Sequence, residues 1–546
     1  MSSRRSAAIF AAIFGLALLL RLSAIHDKFL WFDEFLTANL ARNSWSRILG
    51  AVRAEAHPPL YFVGMKIWGS FFGDGPVALK SVSLLCGMAA LGFLADAVRR
   101  VFGSAAAIAA ALLFGLSTVQ IDQSTDAKPY ALLVLLVVLQ IWALVRAGSD
   151  PGRRGFFALA ILCTVAGGST HFYGTAAVLA VGLAAAFAAG DARGRARGAA
   201  ILLAGAAAAL VWVPAALRLP RGASDYIREI WGGVPRWAPV LVSTRISLPG
   251  WRKPYPPMAG TILPGLSARE IVTALLVVAL LAWGSARRRG PAEGSREERF
   301  LTLAGAFLFF GFLLLETAAN FADRPIGLPG RFEVITVTGL ALLAARAAFR
   351  AGPRALSLGA LLAAGCLWTV VPQWRPHFGP RPIRREQVIL RDIRARLAPG
   401  RSADVVTLGL ARPPLEYYAA GDARVRLVSF PGSQQQHPGW REAALGPDDA
   451  RSLRAEAAGL VPFLDSEIAR GVTVYVAARE DPRNAFLIPL LERDHELIRS
   501  PLADWFYVLI PAPVRLARGG NLSPVPVSHE AKEALWDENG NGLPVF

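Results

Sequence analysis

Over its first 372 residues the chain alternates between long apolar runs and short polar breaks. Eleven runs are long enough to span a bilayer, which takes about 17–25 residues of helix. They lie near 6–22, 76–97, 103–120, 129–146, 156–171, 174–190, 199–216, 269–285, 300–317, 331–348 and 355–372. A further apolar piece, LYFVGMKIWGSFF at 60–72, is too short to span and predicts a helix lying in the interface. After Pro372 the pattern changes. ADVVTLGL, RVRLVSF, VTVYVAAR and DWFYVLI read as strands. PPLEYYAAG, a stretch near 447–470 and NAFLIPLLERDHELI read as helices. β-Branched runs alternating with helical periodicity predict a small α/β domain with a largely parallel sheet. The expected organisation is a membrane bundle over 1–372, an α/β domain over 373–514 and a loose tail over 515–546, rich in Gly, Pro, Asn and charge.

Composition agrees with a polytopic α-helical membrane protein. Hydrophobic residues make up 54% of the 546, charged residues only 18%, and the mean hydropathy is +0.40. The net charge of +18 is uneven. Residues 1–371 hold 36 Lys and Arg against 19 Asp and Glu, and residues 372–546 hold 22 against 21. The basic excess therefore sits in short loops between apolar runs, where membrane topology explains it better than nucleic acid does. With the N-terminus inside, Arg99/Arg100, Arg146, Arg193/Arg195/Arg197, Arg287/Arg288/Arg289 and Arg346/Arg350 fall on the inner side. The outer loops are then 23–75, 120–128, 217–268 and 318–330, and eleven spans leave the C-terminal domain outside. The Arg-rich 217–268 loop departs from the charge rule. The rival reading of residues 1–25 as a cleaved signal lacks a small-x-small site before His26. Cys86, Cys163 and Cys366 all lie in apolar runs, so no disulfide framework is implied. No internal repeat and no nucleotide-binding glycine loop is present.

The residues that bear on chemistry collect in the outer loops. Asp33 and Glu34, in FLWFDEFLTANLA, are adjacent carboxylates among Phe and Trp. One reading is a helix cap, with Asp33 capping a helix that starts at Glu34. The other is a general base, whose carboxylate gains basicity from apolar shielding. His57, in HPPLYF with Tyr61, is either a satisfied loop histidine or a donor to phosphate, sugar or metal. QIDQSTDAKPYALL carries Asp122, Asp126, Lys128 and Tyr130, costly residues at the mouth of an Ala/Leu bundle. His171 and Tyr173, in THFYG, read as an interfacial aromatic belt or as site lining. Arg331, in LPGRFE, is the best-placed cation for a lipid phosphate, or else an ion-pair partner of Glu333 or Asp323. Glu316 is a weaker charged candidate.

These motifs resemble the GT-C superfamily of membrane glycosyltransferases. The likeness is to the bacterial family 39-like group of protein O-mannosyltransferases and the lipid A aminoarabinose transferase. WFDE followed by HPPLYF carries it most specifically, and DAKPYALL, HFYG and PGRF support it, over about residues 1–372. The resemblance implies a GT-C fold in the bacterial inner membrane and an enzyme that moves a sugar from a polyprenyl-phosphate donor to a glycan, lipid or protein acceptor. It implies Asp33 as general base, Glu34 as its helper and Asp126 as the acidic residue of the second loop. It also implies a donor-phosphate site of Arg331, Lys128 and Lys80, the two lysines standing where arginine is usual. No obligatory cofactor is expected, since no ligand set is apparent from spacing; a divalent ion stays open because the carboxylates and His57 share a face. Two other classes are weighed. A flippase or transporter would need polar or broken mid-membrane helices, and a sensor would use the outer domain as a binding module.

Overall fold

In a computed structural model of the chain, the described residues are 3–27, 29–54, 57–149, 154–217, 225–248, 268–286, 295–352, 355–374, 384–408, 411–432, 450–479 and 483–511. The expected tail from Arg515, much of the 217–268 loop and the arginines at 287–289 lie outside them. In chain order the helices are α1 (Ser3–Asp27), α2 (Phe32–Arg42), α3 (Trp45–Ala54), α4 (Leu60–Phe72), α5 (Pro76–Phe102), α6 (Ser104–Gly115) and α7 (Thr118–Gln123). Next come α8 (Tyr130–Ser149), α9 (Arg154–Gly168), α10 (Phe172–Ala188), α11 (Ala192–Leu217), α12 (Asp225–Ile230) and α13 (Ala238–Ser247). They are followed by α14 (Ala268–Ala286), α15 (Arg296–Ala306), a π turn (Phe307–Gly311), α16 (Phe312–Phe321), α17 (Glu333–Ala351) and α18 (Ala355–Trp374). The chain divides into two units, one of residues 1–26 and 56–379, the other of 27–55 and 380–546. The first-loop segment 27–55 goes with the C-terminal unit.

A helix occupies each of the eleven apolar runs. Six of the described helices are long and apolar enough to cross a membrane: Arg4–Ile25, Pro76–Phe102, Tyr130–Ser149, Ala192–Trp212, Arg296–Phe321 and Glu333–Ala351. The chain is a multi-pass α-helical membrane protein. The third run is the main departure from the expected spans. Its helix α6 stops at Gly115, and α7 begins three residues later with Ser117 as its N-cap. The Ser117 hydroxyl accepts from Gln120 N at 3.4 Å. A serine in extended conformation supplies a local acceptor that competes with continued helix.

Small residues let these helices approach closely. Ala106 through Gly115 of α6 are all buried, packed against α5 and α17. Gly339 of α17 lies against the π turn: a Cβ there would stand 2.5 Å from Phe309 N and 2.8 Å from Gly305 O. Both are backbone atoms that cannot turn aside.

The second unit holds β1 (Ala403–Leu408), β2 (Val425–Phe430), β3 (Thr473–Ala478), β4 (His495–Arg499) and β5 (Phe506–Pro511), in the order β2-β1-β3-β5-β4. Its helices are α19 (Arg385–Arg396), α20 (Arg412–Ala419), α21 (Ala450–Ala469) and α22 (Asn484–Asp494). Strand residues alternate between two cores. Ala403, Val405, Tyr475 and Ala477 pack with Ile389, Ile393 and Leu415 of α19 and α20. Val406, Leu408, Val474 and Val476 pack with Leu453, Leu464, Leu487 and Leu491 of α21 and α22. The α/β domain is as expected, but its sheet is mixed. β1 pairs in parallel with β2 and β3, whereas β5 is antiparallel to both β3 and β4. HELI, expected as the end of a helix, is strand β4. α22 stops at Asp494, and Leu497 pairs with Leu509 across β5. An open strand edge overrides the local preference of five residues.

Replacing Gly339 by alanine is expected to destabilise the bundle by about 1–3 kcal/mol, through overpacking against backbone. Gly64, whose Cβ position meets nothing within 4 Å, is the matched control. Thermal unfolding of both alanine variants in one detergent checks this, with only Gly339→Ala expected to lower the midpoint by several degrees.

Candidate functional site at one end of the bundle

The break between α6 and α7 carries the polar turn 124–129 to one end of the first unit. Two glutamines of α7 fasten it there. Gln120 Nε2 donates to Val334 O at 2.7 Å, and Gln123 Nε2 donates to Gly330 O at 2.8 Å. The turn between Asp126 and Tyr130 is thereby held to the turn that opens α17. Asp126 is buried at 8% exposure and Lys128 is half-buried. The Lys128 amide donates to Asp126 O at 2.8 Å, and its carbonyl accepts from Ser83 Oγ at 3.4 Å. Lys80 lies one helical turn before Ser83 on α5 and is fully buried. Gly330 has φ +81°, a left-handed conformation that glycine adopts without strain. Its amide donates to Glu333 Oε2 at 2.7 Å, which sets the direction of the chain through Arg331.

Aromatic rings line the same end. His171 caps α10, its Nδ1 accepting from Tyr173 N at 3.1 Å. Its ring centroid lies 4.5 Å from Tyr173 and 5.1 Å from Tyr130. Tyr173 packs edge-on against Phe332 at 5.2 Å, and its hydroxyl donates to Ile326 O at 2.6 Å. Leu60 N donates to Ser169 O at 3.1 Å, which draws the start of α4 to the turn before His171. Tyr61 is buried and lies 5.7 Å from Phe62, whose ring also meets His57 edge-on at 6.2 Å. Asp126, Lys128, Tyr130, His171, Tyr173 and the backbone of Arg331 thus share one framework of hydrogen bonds and ring contacts, with the HPPLYF segment tied to it and Lys80 one turn from Ser83 on α5.

A polar cluster beneath the Gly330 turn was only half visible in the sequence. Ser243 Oγ stands 2.7 Å from Glu316 Oε2 and 2.7 Å from Glu333 Oε1, with all three residues buried. Gly327 passes so close to Glu316 that a Cβ would overlap its carboxyl group, at 1.7 Å from Oε1. Trp231 Nε1 donates to Gly327 O at 2.8 Å and holds that approach. Glu316 stood out as a charge in an apolar run, and Glu333 only as an ion-pair partner for Arg331. Nothing local marked Ser243, which arrives from a segment 73 residues away.

Asp33 and Glu34 belong to the other unit. Both are buried, at 6% and 0% exposure. The helix begins at Phe32, not at Glu34, so Asp33 is not its cap. Glu34 serves the cap instead: its Oε2 accepts from Trp31 N at 3.0 Å, the reach-back half of a capping box. The candidate residues, expected on one membrane domain, are therefore divided between the two units. Among the described residues no three His, Cys, Asp or Glu side chains stand together as a metal site.

Residues 56–217 match the family model described as dolichyl-phosphate-mannose-protein mannosyltransferase. This segment contains HPPLYF, DAKPYALL and HFYG, so the resemblance carried by those motifs is borne out there. WFDE and PGRF lie outside it. No curated protein matches the chain. Among solved structures, ArnT from Cupriavidus metallidurans in the apo state is similar at 14% identity and TM-score 0.42, covering 93% of this chain and 98% of that one. The same protein bound to undecaprenyl phosphate has 14% identity and TM-score 0.41 over the same shares. The Archaeoglobus fulgidus oligosaccharyltransferase in the apo form has 13% identity and TM-score 0.46, over 91% and 74%. All three TM-scores lie under 0.5, and no residue role is carried over from these structures.

Ser243→Ala is expected to lower stability by about 1–3 kcal/mol, since it strands buried carboxyl oxygens. Thermal unfolding checks this, and Ser243→Thr, which keeps the hydroxyl, is expected to recover part of the loss.

Proposed function

We propose that the protein is a glycosyltransferase that takes its sugar from a polyprenyl-phosphate-linked donor and works on the extracytoplasmic side of the inner membrane. What carries this reading is the polar end of the first unit. Lys80, Asp126, Lys128, His171 and Tyr173 all lie in the segment similar to the mannosyltransferase family, and the turn of Arg331 is tied to that segment by Gln123 and by the Tyr173–Phe332 ring contact. A lipid phosphate needs cations at a bilayer edge, and apolar helices flank these for its tail. ArnT bound to undecaprenyl phosphate is a likeness in keeping with such a donor.

The chemistry follows from the residue types. The acceptor's hydroxyl or amine attacks the anomeric carbon from the face opposite the phosphate. The bond between that carbon and the phosphate oxygen breaks, so the anomeric centre inverts. Asp33 takes the acceptor's proton as general base. Polyprenyl phosphate leaves with the bonding pair, its charge stabilised by Arg331, Lys128 and Lys80. Arg331 offers a planar fork for two phosphate oxygens and the lysines act as point charges. Asp126 orients the turn that carries Lys128. Glu34 keeps the helix end of Asp33 in shape. His57, Tyr61, Tyr130, His171 and Tyr173 line the sugar path. The acceptor is a glycan, lipid or protein, and no step is routed through a metal.

Purified protein in lipid, offered a panel of polyprenyl-phosphate sugars, should release free polyprenyl phosphate with at least one of them when an acceptor is present. Asp33→Asn should lower kcat roughly 10²–10⁴-fold while folding and donor binding persist. Transfer at the wild-type rate in Asp33→Asn would refute the general base. Arg331→Ala is expected to raise the donor KM by about 10–100-fold, the cost of a lost charge-assisted contact. Donor binding without turnover, across all acceptors, would turn the reading towards a carrier or sensor of lipid-linked sugar.

A further inference from the structure

The helix that bears the acidic pair is built into the C-terminal α/β unit, although 374 residues separate Asn39 from its partner Pro413. Its sequence, FDEFLTANLAR, places Phe35, Asn39 and Arg42 at i, i+4 and i+7, on one stripe of the helix. All three meet α20. The Phe35 ring lies 5.3 Å from Tyr417 and 5.4 Å from Tyr418. Asn39 Nδ2 donates to Pro413 O at 3.0 Å. Arg42 Nη1 donates to Tyr417 O at 2.8 Å, and its guanidinium sits 4.3 Å above the Tyr417 ring. Burial pushes the Tyr418 phenol well above its ordinary range, so it remains a neutral ring at working pH.

A second clamp acts at the start of the helix. Arg384, just before α19, donates from Nη1 to Leu30 O at 3.3 Å and lies 4.8 Å from the Phe29 ring and 5.1 Å from the Phe35 ring. The same guanidinium is gripped by Glu386, Nε to Oε2 at 3.1 Å and Nη2 to Oε1 at 3.4 Å. Arg479, from the end of β3, reaches Glu386 at 3.7 Å. The entry and the docked stripe are thus both fixed to the sheet unit, which leaves α2 little freedom to roll or slide. Asp33 stands two residues before Phe35, about 200° round the helix from the docked stripe. Docking by one face sets the direction in which the other presents Asp33.

We propose that the C-terminal α/β unit is the scaffold that aims the Asp33 carboxylate, with Tyr417, Tyr418 and Arg384 as positioning residues that touch neither donor nor acceptor. This rests on Asp33 being the base proposed above. A base must lie within hydrogen-bond reach of the proton it takes, and a displacement of about 1 Å costs on the order of 10²-fold in rate.

The test compares the full-length Tyr417→Ala, Tyr417→Phe and Arg384→Lys variants in lipid, reading kcat, donor KM and thermal unfolding. Tyr417→Ala removes the ring under Phe35 and Arg42, and should lower kcat at least tenfold with donor KM little changed. Tyr417→Phe keeps the ring and should restore kcat. Arg384→Lys keeps the charge but loses the fork, so it should also lower kcat in a protein that still folds. Wild-type kcat in both Tyr417→Ala and Arg384→Lys overturns the scaffold. So does a matching rise in donor KM without loss of kcat, which would place these residues in donor binding. If Tyr417→Ala fails to fold, Arg384→Lys decides alone. Asp33→Asn separates the two levels: activity retained there sinks the base itself, whereas an inactive Asp33→Asn beside unaffected Tyr417 and Arg384 variants sinks only the scaffold.

Discussion

A buried polar group in an apolar bundle has no water to turn to, and the first unit is organised around that constraint. Where α6 gives way to α7 the helix ladder is interrupted, and side chains take up the bonding. Gln120 and Gln123 reach carbonyls at the start of α17. Arg21, fully buried in α1, donates to the Gly115 carbonyl at the end of α6. Gln140 joins α8 to Thr164 on α9 and to the Val178 carbonyl on α10. Each bond satisfies a group that lipid would leave bare and also fixes a distance between helices. The turn with Asp126 and Lys128 owes its place to these bonds more than to its own sequence.

The same constraint joins structure to the proposed chemistry. Cations and carboxylates at the end of an apolar bundle are costly, and here they are held by short loops on rigid helices. Gly330 illustrates the economy of the arrangement. Its positive φ turns the chain, its carbonyl is held by Gln123 and its amide by Glu333, so the next residue, Arg331, leaves a backbone that is fixed on both sides. The second unit applies a different solution to the acidic pair. There an aromatic and arginine clamp, rather than a bundle, holds a short helix that would not be stable by itself.

Much of this was readable from one dimension. Apolar length marked the spans, and charged residues in apolar surroundings marked Asp126, Lys128, Glu316 and Arg331, because lipid makes such choices expensive at any position, whereas Lys80 came only from the family resemblance. Glycine and proline breaks marked the loops. The errors share a cause. The cap reading of Asp33, weighed beside the general base, considered only the residues nearest it in sequence, whereas the helix starts at Phe32 and Glu34 reaches back to Trp31. HELI continued a helical pattern locally, but the β5 edge recruited it as a strand. Ser243 had no sign of its own, since its role exists only where Glu316 and Glu333 converge on it.

Sequence alone determined the class of the molecule: an apolar bundle with basic short loops, followed by a sheet-forming domain, with a set of polar residues too costly to be accidental. Those properties follow from the solvent each residue prefers, which is local. Tertiary structure decided which of those residues belong together. It assigned residues 27–55 to the C-terminal unit and joined the segments of Ser83, Lys128, His171 and Arg331 into one framework in the other. That decision rests on contacts between residues far apart in the chain, such as Asn39 with Pro413. Their loop-closure cost is met only when the whole fold forms around them.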